Sequence, residues 1–125
     1  MPRWFDVTAH SAACPGSFCD GAWNVVVEGR KLAGTAQRWR ATPAGRVVLI
    51  HAAILIGTPD AALWPVLGAL QAAAFPDEPS LRADNHIALE GLMAGAMSRT
   101  AFPGALIRAA KDRLSALAHR ERRAA

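Results

Sequence analysis

The stretch from Asn24 to Arg38 constrains the fold of this chain more than any other, because it has the pattern of a β-hairpin. Its first arm holds three consecutive valines, which are β-branched and favour strands. Glu28-Gly29 follows, and glycine suits a tight turn because it tolerates positive φ. The second arm runs from Arg30 to Trp39. The sequence therefore predicts two antiparallel strands joined by a tight turn.

Two residues in the second arm point to a binding role. Lys31 comes directly after the turn, and Gly34 interrupts the arm. Glycine inside a strand usually marks a bulge or a close approach to the backbone. A lysine beside exposed N–H groups suits a phosphate or an acyl carbonyl, because the ammonium and the amides all face negative charge. A solvated lysine at a strand edge explains the same residues, so both interpretations stay open.

The rest of the chain extends the hairpin into an α+β pattern. Residues 41–45 have turn chemistry, and residues 46–56 form a nearly continuous aliphatic strand, typical of burial on both faces. We expect the strands to form an antiparallel meander. From Gly57 the pattern becomes helical, and the clearest amphipathic helix begins at Pro103. Strands followed by helices indicate an α+β domain with helices packed on one sheet face.

The length of 125 residues fits one domain at most. We divide it into a β-meander in residues 1–56 and a helical part in residues 57–125. Within these parts we also expect a short strand near residues 4–8, a helix starting near Pro59, an extended segment over residues 80–88 and a short helix over residues 89–97.

Composition narrows the class of protein. An apolar fraction of 52% suffices for a core, and a charged fraction of 19% argues against disorder. No apolar run approaches the roughly 20 residues of a membrane span. The first residues lack the hydrophobic core of a signal peptide. These features predict a cytoplasmic protein without a membrane partner.

The net charge of +4 is concentrated around the hairpin and near the C-terminus. Such surfaces can meet nucleic acid, anionic lipid or an acidic protein. Near the C-terminus the cations also suit the dipole of a helix end. The two groups are Arg30, Lys31, Arg38, Arg40 and Arg46, and Arg108, Lys111, Arg113, Arg120, Arg122 and Arg123.

The run from Gly29 to Gln37 fits the pattern G-[RK]-K-[IL]-x-G-x-A-Q, and Val48 to His51 fits V-L-x-H. Within residues 15–51 these motifs resemble the lipoate–protein ligase and octanoyltransferase family, the lipoyl branch of the biotin/lipoyl ligase catalytic domains. The resemblance implies part of a class II aminoacyl-tRNA synthetase-like fold. The family domain is longer, and its N-terminal half, with the loop that binds lipoate and nucleotide, has no counterpart here.

This chain therefore resembles the C-terminal portion of such a domain. A half-domain exposes a sheet edge and an apolar face, which favour pairing with another chain. We expect either self-association or pairing with a separate N-terminal half, and we expect activity to depend on that half.

The resemblance also implies roles for several residues. Lys31 would be catalytic, contacting the acyl carbonyl and the phosphate of an acyl-adenylate and stabilising charge at the transition state. Gly34, Thr35 and Ala36 would line the acyl or nucleotide pocket, although a structural bulge explains them equally well. Asn24 would lie near the nucleotide and its Mg²⁺, or serve only as a strand-edge residue.

Cys14 and His51 are secondary candidates. The octanoyltransferase branch carries a nucleophilic cysteine upstream of the same lysine; Cys14 falls two residues before that position, and Cys19 falls on its other side. A nearby cation would favour the thiolate, which can take an acyl chain as a thioester. Small loop residues packed under the hairpin are the alternative. His51 is either a core histidine or a neighbour of the acyl pocket. No spacing predicts a metal site.

The main functional hypothesis is a ligase-like acyl transfer. ATP and Mg²⁺ would convert lipoate or octanoate into an acyl-adenylate, and the acyl group would pass to a lysine of an acidic lipoyl carrier domain. That carrier would belong to a 2-oxoacid dehydrogenase or to a glycine cleavage protein; no nucleic acid partner is expected. The alternatives are an octanoyl transferase using a Cys14 thioester without ATP, and a truncated, non-catalytic chain that binds the carrier.

Overall fold

A four-stranded antiparallel sheet and a set of helices make up the computed structural model, which describes residues 7–93 and 100–124. The sheet order is β1-β2-β3-β4, with neighbouring strands antiparallel. This is an α+β arrangement, while the relation to the synthetase-like fold stays a prediction. The elements are β1 His10–Ala12, β2 Asn24–Val27, β3 Arg30–Thr42, β4 Gly45–Ile54, α1 Leu63–Ala74, a 3₁₀ turn Ala83–Asn85, α2 Leu89–Leu92 and α3 Phe102–Ala124.

The chain divides into two compact units. Val7–Leu92 contains the sheet, α1, the 3₁₀ turn and α2, and α3 belongs to the other unit. The first two helices therefore share a unit with the strands. Among the residues described, no helix combines the length and the apolar character needed to cross a bilayer.

The predicted hairpin is present between β2 and β3. Val27 pairs with Arg30 across Glu28-Gly29, and both turn residues have positive φ, at 50° and 75°. Two positive φ values give the twist that a two-residue hairpin turn requires. Gly29 tolerates the positive φ at the second turn position, so this sequence can form the turn that its pattern predicts.

A bulge near this turn sits closer to Lys31 than the sequence suggests. Val25 pairs with Ala33 and Val26 pairs with Lys31, which leaves Leu32 as the extra residue of β3. Gly34, where we expected the break, pairs regularly with β4 instead. An extra residue changes which side chains face the core. As a result Lys31, Leu32 and Ala33 are all buried.

Several element boundaries differ from the sequence-based ones. The first strand is at His10–Ala12 rather than near residues 4–8, of which residues 4–6 lie outside the described part. The first helix begins at Leu63 rather than near Pro59. The short helix covers Leu89–Leu92, and residues 94–99 of its predicted span lie outside the description. The last helix begins at Phe102, beside the predicted start.

β4 departs most clearly from expectation. Its aliphatic composition predicts burial on both faces, but nine of its ten residues are exposed and the last is half-buried. Leu49 and Ile50 point to opposite faces of the strand and expose 64% and 69% of their surface. The physical reason is missing cover on the sheet faces, because among the described elements β4 packs mainly against β3, its one neighbour in the sheet.

We expect this edge to cause association. Unpaired N–H and C=O groups beside apolar side chains offer another chain both hydrogen bonds and buried area. Sedimentation velocity should show species larger than a monomer as concentration rises, and Leu49→Lys should shift them towards the monomer. The control is Val66→Lys, which charges an exposed apolar position on α1. A wild-type chain that stays monomeric throughout the concentration range would contradict this expectation.

Candidate functional site

A largely apolar cavity of about 510 Å³ lies between the start of β3, β4, α1 and the loop before β2. Its α1 wall includes Leu63, Trp64 and Leu67, none of which was predicted from the sequence as a site residue. The hairpin brings most of the predicted site residues to this same cavity, and their chemical roles stay predictions. Those on its wall are Lys31, Asn24, Gly34, Thr35, Ala36 and His51.

Lys31 is buried, with 6% of its surface exposed, so it is not the solvated edge lysine that the sequence left open. Its Nζ donates to the carbonyl oxygens of Phe18 at 2.6 Å and Cys19 at 2.8 Å. An ammonium has three N–H donors, which leaves one for an oxygen atom in the cavity. Lys31 is thus placed to polarise a bound carbonyl.

Burial lowers the pKa of Lys31 from its usual 10.5 because the charged form loses hydration. The negative forms of Cys19, Asp20 and Cys14 oppose this effect and raise the pKa in part. The ammonium therefore lies in a partly desolvated, electronegative environment. Charges in such an environment interact more strongly with a ligand than they do in water.

Gly34 lies beside this lysine. A Cβ placed at Gly34 would lie 3.5 Å from Cε and 3.6 Å from Nζ of Lys31, in ordinary van der Waals contact. A methyl group fits there, and a longer side chain would meet the lysine. The lysine therefore contacts this position at ordinary distances, and the contact does not by itself require glycine.

Asp20 organises the loop in front of Lys31, and the sequence reasoning missed it. Its Oδ1 accepts hydrogen bonds from the backbone N–H groups of Cys14 and Gly21, each at 2.8 Å, and from Asn24 Nδ2 at 2.6 Å. Asn24 Nδ2 also donates to Gly21 O at 2.7 Å. The amide nitrogen of the buried Asn24 is therefore committed to this loop, which differs from the nucleotide-side role that the resemblance implies.

Three further predicted residues on the β3–β4 pair line the cavity. Thr35 Oγ1 donates to the carbonyl oxygen of Trp23, which ties β3 to the residue before β2. Ala36 lies directly opposite His51 in the β3–β4 register. His51 is exposed rather than buried, so the core-histidine interpretation is wrong and the position beside the cavity is what the structure shows.

The two cysteines occupy different environments, and both are free thiols. Cys14 is buried, and its Sγ lies 3.7 Å from Gly29 O and 3.6 Å from Asn85 O, which it can reach as a weak donor. It does not appear on the cavity wall. Cys19 is exposed and lines the cavity beside Lys31, with a positive φ of 50°. Cys14, the secondary candidate, is thus the packed thiol, and Cys19 is the accessible one.

The cysteine loop, residues 14–20, rests on residues 80–86, a segment that we expected only to be extended. Arg82 N donates to Gly16 O at 2.8 Å, and Asn85 Nδ2 donates to Pro15 O at 2.7 Å. A Cβ at Gly16, whose φ is +79°, would lie 2.9 Å from Asn85 Nδ2. Glycine is therefore required at this contact both for its conformation and for space.

His86 ends this segment and contacts both the loop and α1. Its Nε2 lies 2.9 Å from the N–H donor of Phe18, and its ring lies 4.5 Å from that of Trp64 between centroids. Burial lowers the pKa of His86, the carbonyl oxygens of Ala83 and Arg82 raise it in part, and Lys31 lowers it further. The only sequence signal for this residue is a run of three hydrogen-bonding side chains, Asp84-Asn85-His86.

The resemblance implies Mg²⁺, an ion that prefers oxygen ligands such as carboxylates. Within residues 7–93 and 100–124, no group of three or more His, Cys, Asp or Glu side chains could hold a metal ion. The Oδ1 atom of Asp20 already accepts hydrogen bonds from three donors. The described protein side chains alone therefore form no ready-made site, and Mg²⁺ stays a prediction, because this ion often binds through one or two carboxylates together with substrate phosphates.

No protein-family model matches the chain. An uncharacterised protein of Cupriavidus necator is 44% identical over 62 residues, which cover 40% of this chain and 24% of that protein. An octanoyl-[GcvH]:protein N-octanoyltransferase of Kyrpidia tusciae is 49% identical over 47 residues, which cover 33% of this chain and 16% of the enzyme. Part of this chain is similar to an octanoyltransferase.

This similarity agrees with the transferase and lipoylation chemistry that the resemblance of residues 15–51 implies. It lends no support to the ligase route, to ATP binding or to a cytoplasmic location, which stay predictions. The matches span at most 24% of the length of these curated relatives. The activity, substrates and partners of a whole enzyme are therefore a matter for proposal.

Proposed function

We propose that this chain supplies the lysine and cysteine part of an acyl-transfer site that moves an octanoyl or lipoyl group onto a protein lysine through a cysteine thioester. The observation that carries the proposal is Lys31, desolvated on the wall of an apolar cavity and hydrogen-bonded to a loop with two free thiols. The partial similarity to an octanoyltransferase supports the same chemistry.

The cavity suits an aliphatic chain. Leu63 and Leu67 on α1 and Leu32 on β3 contribute apolar walls, and Ala36 and Ala53 keep the opposite side small. Each CH₂ group moved from water into such surroundings gains about 0.8 kcal/mol. An acyl chain of several carbons would therefore bind here with its carbonyl end towards Lys31, the lysine on the wall.

The reaction would proceed in two balanced steps. In the first, a thiolate of the cysteine loop attacks the carbonyl carbon of an N-acyl-lysine on a donor protein; a C–S bond forms, the C–N bond breaks, and the lysine amine leaves with a proton. In the second, the amine of an acceptor lysine attacks the thioester, which forms the new amide, returns the thiolate and releases a proton. Lys31 would donate to the oxyanion in both steps.

The donor and acceptor follow from the named relative, which transfers an octanoyl group from octanoyl-GcvH to a protein. We assign this chain a carrier protein of the same kind as its partner. Arg38, Arg40 and Arg46 are exposed at the outer end of the β3–β4 pair, with Arg46 over the ring of Trp39 at 5.3 Å. These cations would complement an acidic carrier surface.

Two thiols compete for the nucleophilic role. Cys14 is the candidate that the resemblance supplies, and we assign it the role on that ground, although its thiol is packed. Cys19 is the second candidate, favoured by its place on the cavity wall. The ligase route through an acyl-adenylate gains no comparable observation, and ATP, Mg²⁺ and a separate N-terminal half stay predictions.

The test is the intact mass of the chain after incubation with an octanoylated carrier domain. Wild type should gain one octanoyl group that hydroxylamine removes, as a thioester requires. Cys14→Ser should lose the adduct and Cys19→Ser should keep it; the reverse pattern would assign the role to Cys19. Parallel samples contain octanoate with ATP and Mg²⁺, where acylation of the carrier would indicate the ligase route.

The same samples are repeated with the N-terminal half of the Kyrpidia tusciae enzyme added. An adduct that forms only with this half would show that the chain supplies one part of a divided site. No thioester under either condition, on a chain shown to be folded, would overturn the proposed function.

A further inference from the structure

Two side chains hold the same point of the cysteine loop. Lys31 Nζ donates to the carbonyl oxygens of Phe18 and Cys19, and the N–H of Phe18 donates to His86 Nε2 at 2.9 Å. Phe18 is therefore fixed at both its N–H and its carbonyl. The next residue, Cys19, has a φ of 50°, which is strained for a residue other than glycine. Such a conformation persists only where the surroundings restrain it.

The hydrogen bonds of His86 define its protonation state. Its Nδ1 lies 3.0 Å from Arg82 O and 3.3 Å from Ala83 O, which are acceptors only. Nδ1 therefore carries the proton, and the lone pair of Nε2 accepts the N–H of Phe18. Protonation of Nε2 would place two donors against each other. The contact thus requires the neutral imidazole.

We infer that His86 is a positioning residue, whose neutral imidazole holds the cysteine loop against Lys31 and releases it when the ring is protonated. Trp64 supports the ring from α1, and the carbonyl oxygens of Arg82 and Ala83, at the start of the 3₁₀ turn, fix its plane. The consequence for acyl transfer rests on the proposed function, whereas the restraint on the loop does not.

Charged and titratable groups line both cavities beside His86. Lys31 on β3, His51 on β4, and Cys19 and Asp20 of the loop face the apolar cavity that His86 helps to line. A second cavity of about 420 Å³ has Arg30 and Asp84 on its wall and shares Trp64 and His86 with the first. The ring therefore separates two cavities, and solvent in either can deliver a proton to it.

The sign of the pH effect follows from these surroundings. Burial, with Lys31 in support, lowers the pKa of His86 below its usual 6.5, and the two carbonyl oxygens offset only part of this. Above about pH 6.5 the ring is neutral in the folded and unfolded chains alike, so the contact is fully present. As pH falls below that value, the unfolded chain binds the proton first, and the contribution to stability is lost through the lowered folded pKa.

Amide hydrogen exchange of Phe18, followed by NMR, tests the inference directly. At about pH 7.5, His86→Ala should reduce the protection of this amide by about tenfold, the equivalent of one net hydrogen bond of about 1.4 kcal/mol. His86→Gln should largely keep it, because Oε1 of glutamine reaches nearly as far as Nε2 and accepts the same N–H. His10→Gln, at an exposed histidine on β1, should change nothing.

Alkylation of the cysteines by iodoacetamide provides the second readout. His86→Ala should raise the labelling rate of buried Cys14 about fivefold or more, and His86→Gln should restore it to within about twofold of wild type. Lowering the pH of wild type towards about 4.5 should reduce the protection of the Phe18 amide, after correction for the intrinsic exchange rate at each pH. The same change of pH should not reduce this protection in His86→Gln.

Equal protection of Phe18 in wild type and His86→Ala would overturn the inference, and so would equal losses in the alanine and glutamine variants. Should His86→Ala fail to fold, the pH titration of wild type against His86→Gln decides the question. Loss of Phe18 protection in a chain that never forms a thioester would keep this inference and overturn the proposed function. The two failures are therefore distinguishable.

Discussion

Replacing Lys31 with alanine is expected to lower acyl transfer by about 10²–10³-fold, the usual cost of removing one donor to a developing oxyanion. The loss should appear in kcat more than in KM, because the donor acts on charge that develops in the transition state. The core of the sheet should persist, since Val26, Val27 and Leu32 form it independently of the ammonium. Thermal unfolding of the variant verifies that persistence.

The measurement is the rate at which the octanoyl thioester forms on the chain from an octanoylated carrier, with the N-terminal half added if the site proves to be divided. Lys31→Arg should recover only part of the rate, because a planar guanidinium cannot replace a point charge on a flexible stem. Lys111→Ala removes a cation from α3 and serves as the control. A Lys31→Ala variant that keeps more than about a tenth of the wild-type rate would exclude the oxyanion role.

The hairpin and its turn could be predicted because short-range chemistry decides them. Three valines favour a strand, and a glycine at positive φ closes the turn. Once Lys31, Gly34 and Ala36 share a strand whose partner carries His51, the antiparallel register brings their positions together. The sequence therefore predicts which strand residues lie together on the cavity wall.

The remaining parts depend on contacts between residues far apart in the chain. Phe18 and His86 are 68 residues apart, and Cys14 and Asn85 are 71 apart. Residues 80–86 have neither a helical nor a strand period, so no pattern shows that they hold a loop near the other end. For β4, apolar composition indicates that the strand suits burial, but composition does not identify the chain that would bury it.

A second large effect is expected at Asp20, on the stability of the site rather than on its chemistry. Asp20→Ala removes an acceptor that three donors share, namely Cys14 N, Gly21 N and Asn24 Nδ2. Hydrogen bonds to a charged group contribute about 1.5–3 kcal/mol each and are not additive, so we expect a loss of about 3 kcal/mol in the free energy of unfolding. Asn24 adds to the cost because it is buried and would lose one of its two acceptors.

Urea denaturation measures this loss, with Asp77→Ala, at an exposed aspartate of the turn after α1, as the control within about 0.5 kcal/mol of wild type. Asp20→Asn keeps an acceptor oxygen and removes the charge, so it should be less destabilising than the alanine variant. It also removes a carboxylate that raises the pKa of Lys31, so the alkaline limb of acyl transfer should move to lower pH. An Asp20→Ala variant as stable as Asp77→Ala would mean that residues 80–86 and Lys31 hold the loop without a contribution from Asp20.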